Sequence, residues 1–395
     1  MLKFPIWEEL SKDEQVPIYN LPLDKNYVIT GGPGTGKTVL AIHRAARLKD
    51  EVGEGKVKFL VFNKPLMLYL KRVLEETQLK VEDENDSFDV DVQTWHSWFY
   101  GFYSRFMNSP VPQKRDYEPD WNRIMNDSRF VRLINETTLW DHLIIDEAQD
   151  FPLELLEILK RLSKNVTIFA DPNQSILSND TNIAEILRIF EAGERRFYLT
   201  RNYRNTFEIY NVGKVFYTGE PSNLPGQPIR TGNKPRIIAY ENEEVVYKRI
   251  KNYAENNPTS NIGIILYDFK NAKDFFNNLK KYIDKKICKV MLYRHSRNIE
   301  DYFNFDEPGI KIIYNWVMKG LEFDTVFLPR LTDIDFILKD PLDPLKINQI
   351  YVATTRAKND VFYFYEKDKE DLSFVIRKLK LKENRNLVEW EVSNG

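Results

Sequence analysis

Cysteine is almost missing from this chain: 395 residues carry one, Cys288. A single thiol closes no intrachain disulfide and builds no cysteine-rich metal site. Histidine is scarce too. His43, His96, His142 and His295 are scattered along the chain, without metal-ligand spacing. No apolar run reaches the roughly 18 residues that a membrane-spanning helix needs. The opening MLKFPIWEELSKDEQ holds acidic residues and lacks the apolar centre of a signal peptide. Neither sign of charge prevails: Lys and Arg number 57, Asp and Glu 59, and the net charge is −2. Whole-protein attraction to nucleic acid is therefore not expected, and any such site must be a local groove. These absences suggest a reducing, cytoplasmic setting and no membrane partner.

What is present is ordinary globular material, 42% hydrophobic and 29% charged, in a chain long enough to bury two cores. YVIT, KFLVFN, VDVQTW, HLIID, VTIFAD and RFYLT read as strands, with helix-period stretches such as PLMLYLKRVLEET and PLELLEILKRLS between them. A second series follows Arg204: PRIIAY, NIGIILY, ICKVMLY, GIKIIYNW, DTVFLPRL and DVFYFYE, with EEVVYKRIKNYAENN and KNAKDFFNNLKKYID as helices. Strand–helix alternation with continuous apolar strands predicts parallel sheets covered on both faces. The expected fold is α/β, with two parallel-sheet domains in tandem over about 1–199 and 200–395. The Gly/Pro-rich stretch 218–235 reads as a flexible loop. A small irregular insertion is expected at about 100–138.

Two stretches carry the chemistry. Gly31-Gly32-Pro33-Gly34-Thr35-Gly36-Lys37-Thr38 fits G-x-x-x-x-G-K-[ST] and lies between a predicted strand and a predicted helix. Glycines such as Gly34 and Gly36 let backbone N–H groups turn inward around phosphate oxygens. Lys37 should reach the β- and γ-phosphates, and Thr38 should ligate Mg²⁺. Downstream, the apolar run Leu143-Ile144-Ile145 ends on Asp146 and Glu147, followed by Gln149 and Asp150. Asp146 is placed to hold Mg²⁺, and Glu147 to orient the attacking water as a base.

In order along the chain stand GGPGTGKT, LIIDEAQD, FADPNQSI, LTRNYRN, VMKGLEFD and YVATTRAK. With Gln15 upstream, this series resembles the UvrD/Rep-like helicases of superfamily 1, over most of the chain to about Tyr365. The resemblance implies two RecA-like domains with an ATP site in the cleft between them. It also implies roles. Gln15 would hydrogen-bond adenine, Tyr203 would stack on it, and Gln174 would sense the γ-phosphate. Arg204 would bind the γ-phosphate, and Arg356 would be the arginine finger, a planar and permanently charged fork suited to phosphoryl charge. Gly320 and Glu322 would contact the nucleotide.

Strand contacts follow from the same resemblance. Phe62, Asn63 and Lys64 match one segment that touches single-stranded nucleic acid, and Thr94, Trp95 and His96 match the next. Lys319 is a candidate phosphate ligand. The run WHSWFYGFYSRF, Trp95 to Phe106, reads either as a base-stacking platform or as core and interdomain packing. Two departures stand out. After Gln174, relatives carry a base-stacking tryptophan, whereas this chain has Ser175-Ile176-Leu177. Before KGLEFD, relatives carry a histidine and a small residue, whereas this chain has Trp316-Val317-Met318. The spacings also leave little room for the accessory domains of relatives. The expected function is an ATP- and Mg²⁺-dependent 3′-to-5′ translocase or helicase on single-stranded nucleic acid, DNA before RNA. The alternative is an ATP-gated switch that controls a partner nuclease or toxin, as in anti-phage defence.

Overall fold

Continuous apolar runs become the strands of two separate parallel sheets. A computed structural model describes residues 9–53, 56–78, 91–115, 118–172, 181–294, 307–331 and 343–392. Contacts divide the chain into two units. Among the described residues, the first comprises 9–31 and Gly36–Leu199; the second comprises Gly32–Thr35 and those from Thr200 to 392.

The first unit runs α1 (Gln15–Tyr19), β1 (Tyr27–Gly31), α2 (Lys37–Val52), β2 (Val57–Val61), α3 (Lys64–Gln78), β3 (Asp91–Thr94) and α4 (Trp95–Met107). A short antiparallel ribbon follows, β4 (Gln113–Arg115) and β5 (Glu118–Pro119), and then α5 (Trp121–Met125) and α6 (Ser128–Glu136). The unit ends with β6 (Trp140–Ile145), α7 (Leu153–Leu162), β7 (Ser163–Ala170), α8 (Ile183–Ile189) and β8 (Arg196–Leu199). Its sheet has the order β3-β2-β6-β7-β1-β8, and every pairing is parallel. Parallel neighbours need crossover helices, which cover both faces and explain why β1 and β2 are buried along their whole length. Alternate residues feed two cores. Val28, Leu60, Leu143, Ile145 and Ile168 pack into one, and Ile29, Phe59, Val61, Ile144 and Phe169 into the other.

Helix α4 decides between the two readings of the aromatic run. The Thr94 hydroxyl caps the helix by accepting from the Ser97 N–H at 3.3 Å. Trp95, Trp98, Phe99, Phe102 and Tyr103 are buried. They pack in part on Phe151, Trp140, Trp121 and Phe130, with ring centroids 5.0–6.3 Å apart. The stretch 100–138 adds Trp121, Ile124, Phe130 and Ile134 to that same core. These rings are packing, and Phe106 at the end of the helix is the exposed one, at 45%.

The second unit begins with α9 (Phe207–Val215) and continues through β9 (Arg236–Tyr240), α10 (Glu244–Asn256), β10 (Asn261–Leu266), α11 (Phe269–Leu279), β11 (Val290–Leu292), β12 (Gly309–Tyr314) and β13 (Phe323–Leu328). A helix Pro344–Thr354, β14 (Ala357–Glu366), a helix Phe374–Lys380 and β15 (Glu389–Val392) complete it. The sheet order is β11-β12-β10-β13-β14-β9-β15, again all parallel. Gly263 within β10 makes room for Phe323, since a Cβ there would lie 2.5 Å from that ring. Cys288 is buried against the core formed by α10, α11 and the central strands. β15 was not among the strands expected from sequence; it is four residues long and pairs with β9.

The 218–235 stretch is a loop, as its composition implies, with several ties to its own unit. Gly226 N–H donates to Thr200 O at 2.6 Å, Tyr210 Oη donates to Pro225 O at 2.9 Å, and Phe207 N–H donates to Arg230 O at 2.7 Å. Among the described residues, no helix is long and apolar enough to cross a membrane. Because Phe99 is fully buried, Phe99→Ala should cost about 3–5 kcal/mol in a denaturant melt. Phe106→Ala should stay within about 0.5 kcal/mol of the parent. A Phe99→Ala protein of unchanged stability that had lost strand binding would overturn the packing assignment.

Candidate functional site

β1 delivers Gly31, and α2 opens at Lys37. Gly34 and Gly36 have φ of 77° and 83°, a left-handed backbone that glycine adopts without the strain of a Cβ. The Thr35 hydroxyl ties the turn by donating to Gly32 O at 2.9 Å. Lys37 is buried. Its ammonium donates to Gly31 O at 2.7 Å and pairs with the Asp171 carboxylate at 3.3 Å. The next residue, Thr38, donates from its hydroxyl to Asp146 Oδ2 at 2.8 Å.

The facing acids come from the end of β6. Asp146 is fully buried, and both burial and the adjoining Glu147 hold its carboxyl above the ordinary range. Glu147 N–H donates back to Asp146 Oδ1 at 3.0 Å. Glu147 itself has φ 55° and ψ 44°, a left-handed conformation costing a residue with a Cβ on the order of 1–3 kcal/mol. Gln149 holds it there. The amide Nε2 donates to Glu147 Oε2 at 2.7 Å, while Oε1 accepts from Asp171 N–H at 2.9 Å. Asp171, which follows β7, is the residue whose carboxylate meets Lys37. One continuous polar chain thus runs Lys37–Asp171–Gln149–Glu147. The Thr38 hydroxyl and the Asp146 carboxylate are hard oxygen donors of the kind that Mg²⁺ takes. A divalent cation would also offset the charge that Asp146 bears poorly, so these residues fit that ion.

Gln15 lies against the phosphate loop: a Cβ at Gly36 would be 2.3 Å from Gln15 Nε2. In the second unit, Arg204 Nε donates to Glu322 Oε2 at 2.9 Å, and Lys358 lies 3.8 Å from the other oxygen. Burial would raise the Glu322 carboxyl, but Arg204 and Lys358 outweigh it and bring the pKa to about 2. Glu322 follows Gly320, whose φ is 73°. Asn205 clamps the same region from its amide, donating to Thr355 O and Ala357 O at 3.1 and 2.6 Å. Arg356 is buried, with Nε on Val352 O and Nη1 on Leu321 O at 3.1 and 3.3 Å. Tyr203 is 43% exposed. Gln174 and the run to Asp180 lie outside the described residues, as does the Trp316 side chain.

The expected strand-contacting residues gather at the carboxyl ends of β2 and β3. Phe62 and His96 meet edge-on at 6.5 Å, and His96 stacks on Trp95 at 3.4 Å. Asn63 caps α3 through Leu66 N–H at 2.9 Å, and Lys64 opens that helix. Trp95 is 3% exposed, so its ring belongs to the core and His96 covers it. Lys319 is buried as well. Sequence reasoning passed over Asp171, although an acid closing the apolar strand VTIFAD was a visible signal. It also passed over Arg44, a charge at a core position of α2.

No curated protein matches this chain. Among solved structures, Mss116p bound to single-stranded RNA and AMP-PNP is similar in fold, with 14% identity, a TM-score of 0.52, and 96% of this chain and 73% of that one covered. Arterivirus nonstructural protein 10, a helicase, shares 15% identity at a TM-score of 0.40, over 89% of this chain and 61% of that one. The C-terminal domain of a possible DNA helicase from Lactobacillus plantarum WCFS1 shares 17% identity at a TM-score of 0.35, over 48% of this chain and 98% of that domain. The family profile described as Schlafen group 3, DNA/RNA helicase domain, matches residues 24–257. That match spans more than half of the chain, and the protein belongs to this helicase-domain family.

Proposed function

We propose that this protein is an ATP-driven translocase on single-stranded nucleic acid, with DNA the expected strand and 3′-to-5′ the expected direction. The observation that carries the reading is the bonded chain Lys37–Asp171–Gln149–Glu147 beside the Thr38–Asp146 pair, in a helicase-family chain. The direction and the UvrD/Rep-like assignment rest on the motif series alone.

Lys37 would exchange Asp171 for phosphate oxygens of ATP and bring positive charge to the β- and γ-phosphates. Thr38 and Asp146 would hold Mg²⁺, which when bound offsets the charge of the phosphate oxygens. Glu147 would take the proton of the attacking water. Gln149 fixes the position of that base and ties it to Asp171. When phosphate takes Lys37, the residue that loses its partner, Asp171, is therefore two hydrogen bonds from the base. The contribution of the second unit is proposed to run through Arg204 and Arg356, with Glu322 holding the Arg204 guanidinium.

Steady-state ATPase assays with single-stranded DNA, single-stranded RNA or neither test the reading. Turnover should rise with one of the strands, and labelled tracks should show the direction. If neither strand at any length changes the rate, the translocase reading fails and the ATP-gated switch takes its place. Lys37→Ala should nearly abolish turnover and weaken nucleotide binding. Glu147→Gln should still bind ATP and lose about 10²–10⁴ in turnover, and Arg356→Ala should lose about 10³ or more if it is the finger. An Arg356→Ala protein that hydrolysed ATP normally would remove the second unit from the chemistry.

Gln149 gives a separate prediction. Gln149→Ala leaves the Asp146 and Thr38 donors in place but releases the Glu147 carboxylate. Turnover should fall roughly 10²-fold through misplacement of the base, with ATP affinity nearly unchanged. Parallel ATP titrations and single-turnover rates would separate the two, and a large loss of affinity would contradict a positioning role.

A further inference from the structure

Arg44 lies on α2, two turns beyond the phosphate loop, and is fully buried. Among the described residues it makes no ion pair. Its partners are backbone carbonyls and one hydroxyl. Nη1 donates to Ile18, Tyr19 and Leu21 carbonyls at 3.1–3.3 Å, and Nη2 to Pro22 O at 3.0 Å. Nε donates to Thr167 Oγ1 at 3.0 Å. Burial lowers its pKa to about 10, which leaves it charged at neutral pH. A charge placed in a core at this cost and aimed at one stretch of backbone fixes that stretch in place.

The grip closes on itself. Leu23 O can only accept, so His142 Nδ1 carries a proton and donates to it at 3.1 Å. In the neutral ring Nε2 is then an acceptor, and the Thr167 hydroxyl donates to it at 2.8 Å. Burial, with Arg44 nearby, keeps that ring neutral, with a pKa of about 3. Arg47, one turn along α2, adds a bond to Tyr19 O at 2.6 Å. The backbone from Ile18 to Leu23 is therefore hung by its carbonyls from α2 and β6.

What that backbone carries is Gln15. Helix α1 has five residues and no side-chain cap from Glu14, so it holds little position of its own. Gln15 and Ser11 exchange bonds: Ser11 N–H donates to Gln15 Oε1 at 3.0 Å, and Gln15 N–H donates to Ser11 Oγ at 3.1 Å. This sets the amide with its oxygen toward Ser11 and its nitrogen toward Gly36. A glutamine amide held in one orientation pairs with the N6 amine and N7 of adenine. Guanine would place its O6 against Oε1, acceptor against acceptor.

We infer that Arg44 is a positioning residue for base selection: by holding Ile18–Pro22 it sets Gln15 against the phosphate loop and makes the site choose adenine over guanine nucleotides. The inference rests on the nucleotide site proposed above. The test is equilibrium binding of ATP and GTP, each with Mg²⁺, by calorimetry. The parent should prefer ATP by about tenfold or more, the discrimination a bidentate amide–base pair supplies. Gln15→Ala and Arg44→Met should each bring the ratio close to one, mainly by weakening ATP. The double variant should match Gln15→Ala alone, and Arg44→Lys should recover part of the preference. Lys37→Ala should weaken both nucleotides alike; if it weakens neither, the nucleotide site is wrong, which is a different failure. A folded Arg44→Met that keeps the parent's ratio, or a parent without preference, overturns the inference. Should Arg44→Met not fold, Arg47→Ala decides. Its side chain is 21% exposed, and its ratio should fall severalfold; an unchanged ratio there would sink the proposal.

Discussion

A parallel sheet buried on both faces leaves polar chemistry at the ends of its strands. In the first unit the carboxyl ends of β1, β6 and β7 carry Gly31, Asp146 and Asp171. Helices occupy the faces, so the apolar side chains along the strands are committed to the two cores. Strand order then sets which ends are neighbours: β7 lies between β6 and β1. Asp171 is therefore able to meet Lys37 from one side and Gln149 from the other. The polar chain between Lys37 and Glu147 follows from that order of strands.

Charge burial in the two units is handled differently. Around the phosphate loop, Asp146 and Glu147 adjoin in the core with one lysine nearby, so the acids hold more negative charge than their surroundings balance. In the second unit Glu322 has Arg204 and Lys358 beside it, and its charge is well supported. The first arrangement leaves Asp146 poorly supported as a charge, while in the second the acid is balanced by basic side chains of its own unit. Arg356 is held by the carbonyls of Val352 and Leu321, and its charge adds to those that keep Glu322 ionised.

Much of the fold could be read from sequence because its signals are local. Most of the expected strands are short apolar runs, and the phosphate loop and acid pair lie within windows of eight and two residues. β15 escaped because its four residues, Glu389-Trp390-Glu391-Val392, hold no apolar run to betray it. The aromatic run of α4 could not be resolved, since rings at helical spacing look alike whether they face a base or Trp140. Gln149 was visible as an unusual residue, but its partner Asp171 is named only by the pairing of β6 with β7. Arg44 looked like any arginine in an amphipathic helix. Its meaning lies in carbonyls, which every residue has and no sequence displays.

The buried Cys288 has a practical consequence. Burial raises the proton affinity of its thiol, so the thiolate that reacts with maleimides is scarce as well as hidden. Being the only cysteine of the chain, it leaves an almost silent background for labelling. Two cysteines introduced at exposed positions, one in each sheet-bearing unit, would accept a dye pair without first removing a native thiol.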